Sequence, residues 1–491
     1  MLHERIQTPA PLVVDLDRTL IANDIAMEQM IRVGRGSWRA LAWLVLAVVV
    51  GLWRGPARLK ARLARRAPVD ATTLPYRAEV LALIAAARAE GRPVILATAS
   101  HARIAARVAR HLGLFDRVIA TSARTNTKGA AKLAAIRAAC AEIGAAAFDY
   151  IGDARADRPI WRAARTAYTV GAATGTAHET RLLRPVALPR ALLRAARPHQ
   201  WAKNALVFVP LLTSGLIAHP AAGWRSLTAF ACLSLIASSV YLLNDLLDVD
   251  ADRLHPTKCR RPLAAGTLPI PHAVAAAVAF AVVGLGGGLA LLGPVAALTM
   301  AGYFALTLAY SFRLKAAMIA DVLALACLYA VRLVVGAAAI GVPVSSWLVL
   351  FSLFLFLSLG YLKRYVELRT SNRPPHRLLS GRGYTGDDIE VVAMSGIAAG
   401  MVSVLVMVLF AEAMGRSNAY ATPQLLWLMP LPLLYWLNRI WMMGKRGQVD
   451  SDPVAFAITD RKSLAVGAML GGIVLAAKFA PFGAALARIS G

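Results

Sequence analysis

The sequence predicts a Rossmann-like α/β domain with a helical cap, followed by an all-α bundle of nine transmembrane helices. Three short Val/Ile-rich runs alternate with helical segments between residues 11 and 170, as is typical of an α/β domain. Nine apolar runs follow, and the 491-residue chain is 58% hydrophobic with a mean hydropathy of +0.57. We therefore expect an α/β domain at 1–180 with its cap at about 24–75, a basic linker at 181–202, and a membrane domain at 203–487.

The net charge of +27 is best explained by an anionic lipid surface and phosphorylated substrates. Lysines and arginines are spread along the chain and no nucleic-acid motif occurs, so we expect no nucleic-acid partner. The four cysteines lie far apart without a CxxC pair, which argues against disulfides and a zinc site and favours a reducing, cytosolic side. The charged stretch Leu2–Leu20 is not expected to be a signal peptide.

Polar clusters follow each of the three predicted strands. In open α/β sheets, ligand chemistry lies at the carboxyl ends of the strands, so these clusters mark one candidate site. The strands and the clusters that follow them are Pro11–Val14 with Asp15–Leu20, Pro93–Leu96 with Ala97–Ser100, and Phe148–Ile151 with Gly152–Asp157.

An apolar stretch of about 14 residues, Ala40–Trp53, interrupts this pattern and is bracketed by arginines. It is short for a transmembrane helix. A spanning helix would also leave the strands before and after it on opposite sides of the membrane. We therefore expect a cap helix that lies in the membrane interface, with a spanning or re-entrant helix as the alternative.

The loops that connect the nine apolar runs are alternately basic and nearly uncharged. If the amino-terminal domain is cytosolic, the basic loops are cytosolic as well, as the positive-inside rule requires. This pattern predicts a multi-pass protein of the cell inner (plasma) membrane with cytosolic active sites and an exoplasmic carboxyl terminus. The runs are about 203–221, 226–243, 271–292, 294–312, 317–341, 344–362, 390–412, 423–442 and 464–486.

An acidic stripe ends the second apolar run. Asn244, Asp245, Asp248 and Asp252 lie at helical offsets 0, 1, 4 and 8, within one stripe about a turn wide. Carboxylates clustered where a helix leaves the bilayer are costly unless a cation holds them, which favours Mg²⁺ carrying a phosphorylated substrate. The alternative is a solvated loop whose acids pair with the lysines and arginines that follow.

The amino-terminal motifs resemble those of the haloacid dehalogenase superfamily. Asp15 and Asp17 match its nucleophile and acid/base pair, and Thr98 matches its phosphoryl-binding hydroxyl. The resemblance implies a phosphatase, or a decayed scaffold that only positions the membrane domain. It also implies a phosphate-binding lysine, for which we favour Lys128 over Lys132, and Mg²⁺ held by Asp153 and Asp157 together with Asp15.

Residues 195–487 resemble the UbiA superfamily of intramembrane prenyltransferases through the motif Asn244-Asp245-x-x-Asp248-x-x-x-Asp252. The resemblance implies Mg²⁺ on these four residues, with Asp245 and Asp248 as catalytic residues. Further motifs resemble those of the branch that transfers 5-phosphoribose from phosphoribosyl pyrophosphate to a polyprenyl phosphate. They lie at Arg197–Asn204, His255–Pro262, Tyr310–Lys315, Asp321-Val322 and Lys363–Leu368. On that basis the expected substrate-binding residues are Lys203, Asn204, Lys258, Arg260, Arg261, Tyr310, Lys315, Asp321, Arg332, Lys363 and Arg364.

The second acidic motif departs from the aromatic prenyltransferases of that superfamily. They commonly carry a DxxxD pair, whereas here Asp321 is followed four residues on by Leu325. Arg332 lies about three turns further along and nearly on the same face, so Asp321 and Arg332 either serve the substrate or form a pair that joins helices. The departure favours phosphoribosyl pyrophosphate as donor. From the fusion of the two domains alone, we expect the appended phosphatase to act on the product. The alternatives are prenyl diphosphate with an aromatic or other small acceptor, and a non-enzymatic transporter or lipid-binding scaffold.

Overall fold

The computed structural model describes most of the chain and divides it into two compact units. The first unit comprises Met1–Ala196 and Tyr241–Ala277, and the second Arg197–Val240 and Val278–Gly491. The segment that carries the acidic stripe thus belongs to the same unit as the amino-terminal domain. The described residues are 9–36, 43, 46–47, 56–122, 127–171, 174–183, 187–371, 376, 378, 382–415, 420–449 and 452–480.

A six-stranded parallel sheet forms the centre of the amino-terminal domain, which confirms the predicted α/β class. The strand order is β3-β2-β1-β4-β5-β6, so β1 lies between β2 and β4, the strands that precede the other two polar clusters. The Val/Ile-rich runs predict three of these strands, β1, β2 and β4, and not the other three. The bounds are β1 Leu12–Val14, β2 Val94–His101, β3 Arg117–Thr121, β4 Asp149–Gly152, β5 Ala167–Thr169 and β6 Glu179–Arg181.

Helices cover both faces of this sheet because alternate strand residues point to opposite sides. Leu12 and Val14 join one hydrophobic core, whereas Val13 joins the other together with Tyr150 and Trp161. The helices are α1 Ile25–Gly36, α2 Pro56–Arg66, α3 Ala78–Ala89, α4 Ala102–Leu112, α5 Ala130–Glu142, α6 Arg158–Ala163 and α7 Leu188–Ala196.

Helices α1 and α2 lie between β1 and β2, where the cap was expected. The predicted interfacial helix at Ala40–Trp53 falls, apart from Trp43, Leu46 and Ala47, outside the described residues. Its relation to the membrane stays a prediction.

The remainder of the chain is helical. The α-helices are α8 Val209–Ser214, α9 Pro220–Leu247, α10 Val249–Leu254, α11 Ile270–Gly287, α12 Pro294–Phe312, α13 Ala320–Ile340, α14 Ser346–Arg369, α15 Ile389–Gly415, α16 Pro430–Lys445, α17 Pro453–Ala457 and α18 Arg461–Phe479.

Nine spans are not confirmed. Within the described ranges, seven helices are long and apolar enough to cross a membrane: Pro220–Leu247, Ile270–Leu292, Pro294–Phe312, Ala320–Ile340, Ser346–Arg369, Gly386–Gly415 and Arg461–Phe479.

The other two predicted runs are broken by residues that interrupt helices. The run at 203–221 divides into a 3₁₀ segment, Pro198–Phe208, and the six-residue α8, which ends before Gly215 at a φ of +82°. The run at 423–442 divides into Pro423–Leu428 and the 16-residue α16. Proline has no backbone N–H to donate to the hydrogen bonds of a helix, so the prolines in these two runs shorten the continuous helices.

Strand β4 is fixed by a buried carboxylate. The side chain of Asp149 is 1% exposed and accepts hydrogen bonds from Arg92, from Arg165 Nη2 at 2.7 Å and from the Thr166 amide at 3.1 Å. Burial alone would raise the pKa of Asp149, yet the hydrogen bonds from the two arginines outweigh it and hold the pKa below its ordinary value. The ionised carboxylate therefore stabilises the folded state above about pH 4, and this contribution is lost as the pH falls through the lowered pKa.

We predict that Asp149→Asn lowers the local stability of β4 by about 2 kcal/mol, because two arginines lose a charged acceptor. In the full chain, this corresponds to roughly 30-fold faster amide hydrogen exchange in β1 and β4. The matched control is Glu90→Gln, which removes a second carboxylate near Arg92, at 3.6 Å, whose side chain is 63% exposed. Equal exchange rates in the two variants would contradict the assignment.

Candidate active sites

The first candidate site lies at the carboxyl ends of β1, β2 and β4. Asp15 follows β1, and its amide donates to the Ile151 carbonyl of β4 at 3.0 Å. The loop after it turns sharply, with Arg18 at a φ of +56°. This turn directs Asp17 toward β2, and the Asp15 and Asp17 carboxylates therefore face different partners.

Asp17 is held from two sides. Its Oδ1 accepts a hydrogen bond from the Ile25 amide at 2.9 Å, at the start of α1. Its Oδ2 accepts from Ser100 Oγ at 2.6 Å and from Thr98 Oγ1 at 3.4 Å. Burial, followed by the nearby charge of Asp24, raises the pKa of Asp17 to about 7. Thr98 thus contacts the second aspartate, and Ser100, which the sequence analysis did not select, makes the shorter bond.

Lys132, and not Lys128, reaches the first aspartate. Lys132 Nζ lies 2.8 Å from Asp15 Oδ1 and donates to the Tyr150 hydroxyl at 2.7 Å. Tyr150 in turn donates to Asp157 Oδ1 at 3.0 Å. Lys128 is exposed in the loop before α5. Our preference between the two lysines is therefore reversed, because Lys132 lies in the first turn of α5, next to the sheet.

Asp15, Asp153 and Asp157 fit a Mg²⁺ ion. One carboxylate oxygen from each lies within 4.8 Å of the other two, and in the described part of the chain no other three His, Cys, Asp or Glu side chains meet this condition. Burial raises the pKa of Asp15, and it raises that of Asp153 to about 7; the negative charge of the neighbouring Asp157 raises both further. A Cβ at Gly152 would lie 2.8 Å from Asp157 Oδ2, so only glycine leaves room for this carboxylate.

The second candidate site is the acidic stripe. The helix is interrupted within the stripe: α9 ends at Leu247 and α10 begins at Val249. The i→i+4 hydrogen bonds nevertheless continue across the break: the Asp248 amide donates to the Asn244 carbonyl and the Asp252 amide to the Asp248 carbonyl, both at 2.8 Å. The four residues therefore remain on one side of the chain.

Arg261 joins two of the predicted metal ligands. Its Nη1 donates to Asp252 Oδ2 at 2.6 Å and to Asp245 Oδ1 at 3.2 Å. Both carboxylates are buried, at 4% and 1% side-chain exposure. Their oxygens thus converge on one cationic atom, which suits Mg²⁺ shared with substrate phosphates. Of the basic residues predicted to bind phosphate after the stripe, Arg261 pairs with these acids and Lys258 and Arg260 are exposed.

The second unit contains a closed ionic cluster around Asp321. Arg364 Nε donates to Asp321 Oδ2 at 2.5 Å, and Tyr384 donates to Asp321 Oδ1 at 2.7 Å. Arg364 also pairs with Glu367 and donates to the Tyr310 hydroxyl at 3.3 Å. The alternative to a substrate-binding role was a pair between Asp321 and Arg332, and the structure places Arg364 beside Asp321 instead. The helical spacing predicted only which residues share a face of α13, whereas the partner comes from α14.

Arg332 has different surroundings. Its side chain is buried and donates to Asn204 Oδ1 at 2.9 Å and to the Tyr303 hydroxyl at 3.0 Å. The guanidinium also lies 5.0 Å from the ring centres of Tyr303 and Tyr329. Among the described residues, no carboxylate lies within salt-bridge distance of it. Asn204 was predicted from sequence; the tyrosines were not, since aromatic residues within apolar helices give no distinct signal.

The remaining predicted residues lie near these clusters or are engaged elsewhere. Lys203 pairs with Asp452, a residue that sequence reasoning missed. Lys363 is half-buried on α14, one residue before Arg364. The Lys315 carbonyl accepts from Arg382 Nη1 at 3.3 Å, and the same arginine donates to Tyr310 at 3.1 Å.

A large apolar cavity of about 660 Å³ also lies in the second unit. Its walls come from α8, α13, α14, α15 and α18, and carbon atoms dominate its lining. The aromatic residues around it are Trp347, Phe351, Phe410 and Tyr420, and the one charged lining residue is Lys478.

Comparison with known proteins agrees with these two parts of the chain. Residues 207–456 match the model of the UbiA prenyltransferase family, and residues 12–162 match the haloacid dehalogenase-like hydrolases. The chain is 35% identical to "Uncharacterized protein y4nM" of Sinorhizobium fredii over 94% of this chain and 89% of that protein. It is 34% identical to the nodulation protein NoeC of Azorhizobium caulinodans over 55% of this chain and 87% of that protein.

A third relative is the decaprenyl-phosphate phosphoribosyltransferase of Mycobacterium tuberculosis. The identity is 40%, over 38% of this chain and 64% of that enzyme. The matched region, the helical bundle with its apolar spans and the acidic motif give one consistent assignment. The chain is an integral membrane enzyme that belongs to the UbiA prenyltransferase family and carries an amino-terminal haloacid dehalogenase-like domain.

Proposed function

We propose that the membrane domain transfers 5-phosphoribose from phosphoribosyl pyrophosphate to a polyprenyl phosphate, and that the amino-terminal domain removes the 5-phosphate from the product. The observation that carries this proposal is the buried guanidinium of Arg332, whose direct contacts are all with neutral groups. A buried charge is costly without a counter-charge, and in a membrane bundle it marks a functional site. An anionic phosphate is the ligand that completes it.

One of the relatives supports the transfer of phosphoribose and the polyprenyl phosphate acceptor. A protein that is 40% identical over 38% of this chain is called a decaprenyl-phosphate phosphoribosyltransferase. The apolar cavity of about 660 Å³, with Lys478 as its charged lining residue, suits the hydrocarbon chain of a lipid. We place both reactions on the cytosolic face of the cell inner membrane, where the basic loops are predicted.

The environment of Asp321 argues against the alternative donor, a prenyl diphosphate used with an aromatic acceptor. That chemistry employs a second pair of acids, and here the fourth residue after Asp321 is Leu325. Both oxygens of Asp321 are also engaged, one by Arg364 and the other by Tyr384. We therefore assign Asp321 and Arg364 to the structure of the bundle rather than to a second metal.

In the transfer reaction, the chain supplies charge and orientation. Mg²⁺ held by Asn244, Asp245, Asp248 and Asp252 would neutralise the pyrophosphate leaving group. Arg332 and Asn204 hold a phosphate in place, and the ring faces of Tyr303 and Tyr329 lie beside the Arg332 guanidinium. Because the lipid phosphate is already anionic, its attack on the ribose C1 requires positioning rather than a general base.

In the phosphatase reaction, Asp15 attacks phosphorus and Asp17 protonates the leaving oxygen. Mg²⁺ on Asp15, Asp153 and Asp157 would offset the phosphoryl charge. Lys132 orients Asp15 and provides a second positive charge, while Tyr150 fixes Asp157. Ser100 and Thr98 hold the Asp17 carboxyl at the end of β2, and water then hydrolyses the aspartyl phosphate on Asp15.

We predict that Lys132→Met lowers the rate of phosphomonoester hydrolysis at least 100-fold, because Asp15 loses its charged partner. Lys128→Met, four residues earlier in the sequence, is the matched control and should retain a rate within twofold of the wild type. The measurement is turnover of a soluble phosphomonoester by purified full-length protein. A loss confined to the Lys128 variant would overturn the assignment.

We predict that Arg332→Met lowers kcat/KM for transfer of labelled phosphoribose to polyprenyl phosphate at least 100-fold, and that Arg332→Lys retains part of it. The control Arg313→Met removes an exposed arginine after α12 and should have no effect. Membranes containing each variant are supplied with radiolabelled phosphoribosyl pyrophosphate, and labelled lipid is counted after extraction. Prenylation of an aromatic acid by wild-type membranes, without any labelled lipid, would support the alternative donor.

A further inference from the structure

The amino-terminal domain contacts the acidic stripe through four charged residues that neither proposed reaction uses. Arg32 on α1 donates to both oxygens of Asp250, from Nε at 3.0 Å and from Nη2 at 2.6 Å. Arg253 donates to both oxygens of Glu28, at 3.2 and 2.5 Å. Bidentate ion pairs of this kind fix the relative orientation of the two side chains as well as their distance. We call these four residues the charge clamp.

The clamp is largely buried and its members also contact one another. Glu28 and Arg253 have side-chain exposures of 1% and 6%. Arg32 lies 3.6 Å from Glu28, one turn away on α1, and Arg253 lies 3.7 Å from Asp250 on α10. Asn23 adds a hydrogen bond to Glu28 Oε1 at 3.2 Å. Removal of one member of such a network leaves a buried charge unpaired, so the clamp strongly favours one arrangement.

The short helix α10 has two charged faces. Asp250 and Arg253 are three residues apart on the face that contacts α1, whereas Asp252 points to Arg261 and Asp245. A helix of six residues is not stable alone, so its orientation depends on tertiary contacts. The clamp supplies these contacts on one face, and thereby sets the position of Asp252 on the other.

A close backbone approach supports the same docking. Gly266, which follows the stripe at a φ of +70°, packs against Ala22, and a Cβ at this glycine would lie 2.2 Å from the Ala22 side chain. Ala22 precedes α1, whose first amide is held by Asp17. The candidate acid/base residue of the phosphatase and the acidic stripe are thus joined through α1.

We propose that the charge clamp is an intramolecular docking site through which the amino-terminal domain positions the acidic stripe. Glu28, Arg32, Asp250 and Arg253 are positioning residues, since they act through Asp252 and Asp245. This inference rests on the proposed function only where transfer is measured. The phosphatase domain then has a structural role in transfer that is separate from its own chemistry.

The test uses full-length protein in detergent and two readouts. Arg32→Glu places a carboxylate opposite Asp250, and we expect at least tenfold faster amide exchange across residues 249–266, with exchange in β1 and β4 unchanged. The kcat for transfer should fall at least tenfold. The double variant Arg32→Glu/Asp250→Arg restores an opposite-charge pair and should return exchange and kcat to within threefold of the wild type.

The control Arg107→Glu reverses the charge of an exposed arginine on α4 and should leave both readouts unchanged. The proposal is overturned if Arg32→Glu behaves like this control, or if the charge swap fails to restore slow exchange at 249–266. If wild-type protein forms no labelled lipid, the proposed transfer fails, while the exchange results still decide the clamp.

Discussion

A buried charge requires compensation, and this constraint organises both candidate sites. Lys132 lies 2.8 Å from Asp15 and 3.7 Å from Asp157, with Tyr150 bonded to both the lysine and the second acid. Arg261 occupies the corresponding position between Asp245 and Asp252. In each site a basic side chain holds two carboxylates close together. The same carboxylates would bind a divalent cation that also contacts a phosphate.

Within the membrane domain, the same constraint distinguishes two buried arginines. Arg364 is compensated by Asp321 and Glu367, and its bond to Asp321 connects α14 to α13. Arg332 is surrounded by an amide, a hydroxyl and two aromatic rings, all without net charge. This contrast is the reason that we propose phosphate binding for Arg332 and not for Arg364, although both arginines carry the same charge and lie in long apolar helices.

Much of the phosphatase-like site could be predicted because its residues follow strands of a parallel sheet. Asp15, Thr98 and Asp153 each follow or end a Val/Ile-rich run, and adjacent parallel strands bring their carboxyl ends together. The choice between Lys128 and Lys132 could not be made from the sequence. It depends on where α5 begins, and helix boundaries are set by caps and tertiary packing.

In the membrane domain, the sequence pattern does not indicate which helices contact one another. Helical spacing relates Asp321 to Arg332 within one helix, but it contains no information about α14, which supplies the true partner. The first and eighth apolar runs contain prolines that divide them into shorter helices. A prediction based only on the length of an apolar run does not take these prolines into account. The contact between α1 and α10 joins residues more than 200 positions apart, and no local pattern indicates it.

The central claim is that one chain forms a lipid-linked phosphoribose and then dephosphorylates it. The most direct measurement supplies membranes with phosphoribosyl pyrophosphate labelled with ¹⁴C in the ribose and ³²P at the 5-phosphate, together with polyprenyl phosphate, and compares wild-type protein with Asp15→Asn. We expect a ¹⁴C-labelled lipid that has lost ³²P in the wild type, and equal amounts of a lipid retaining both labels in the variant. Retention of ³²P by the wild-type product, or its loss from the variant product, would contradict it.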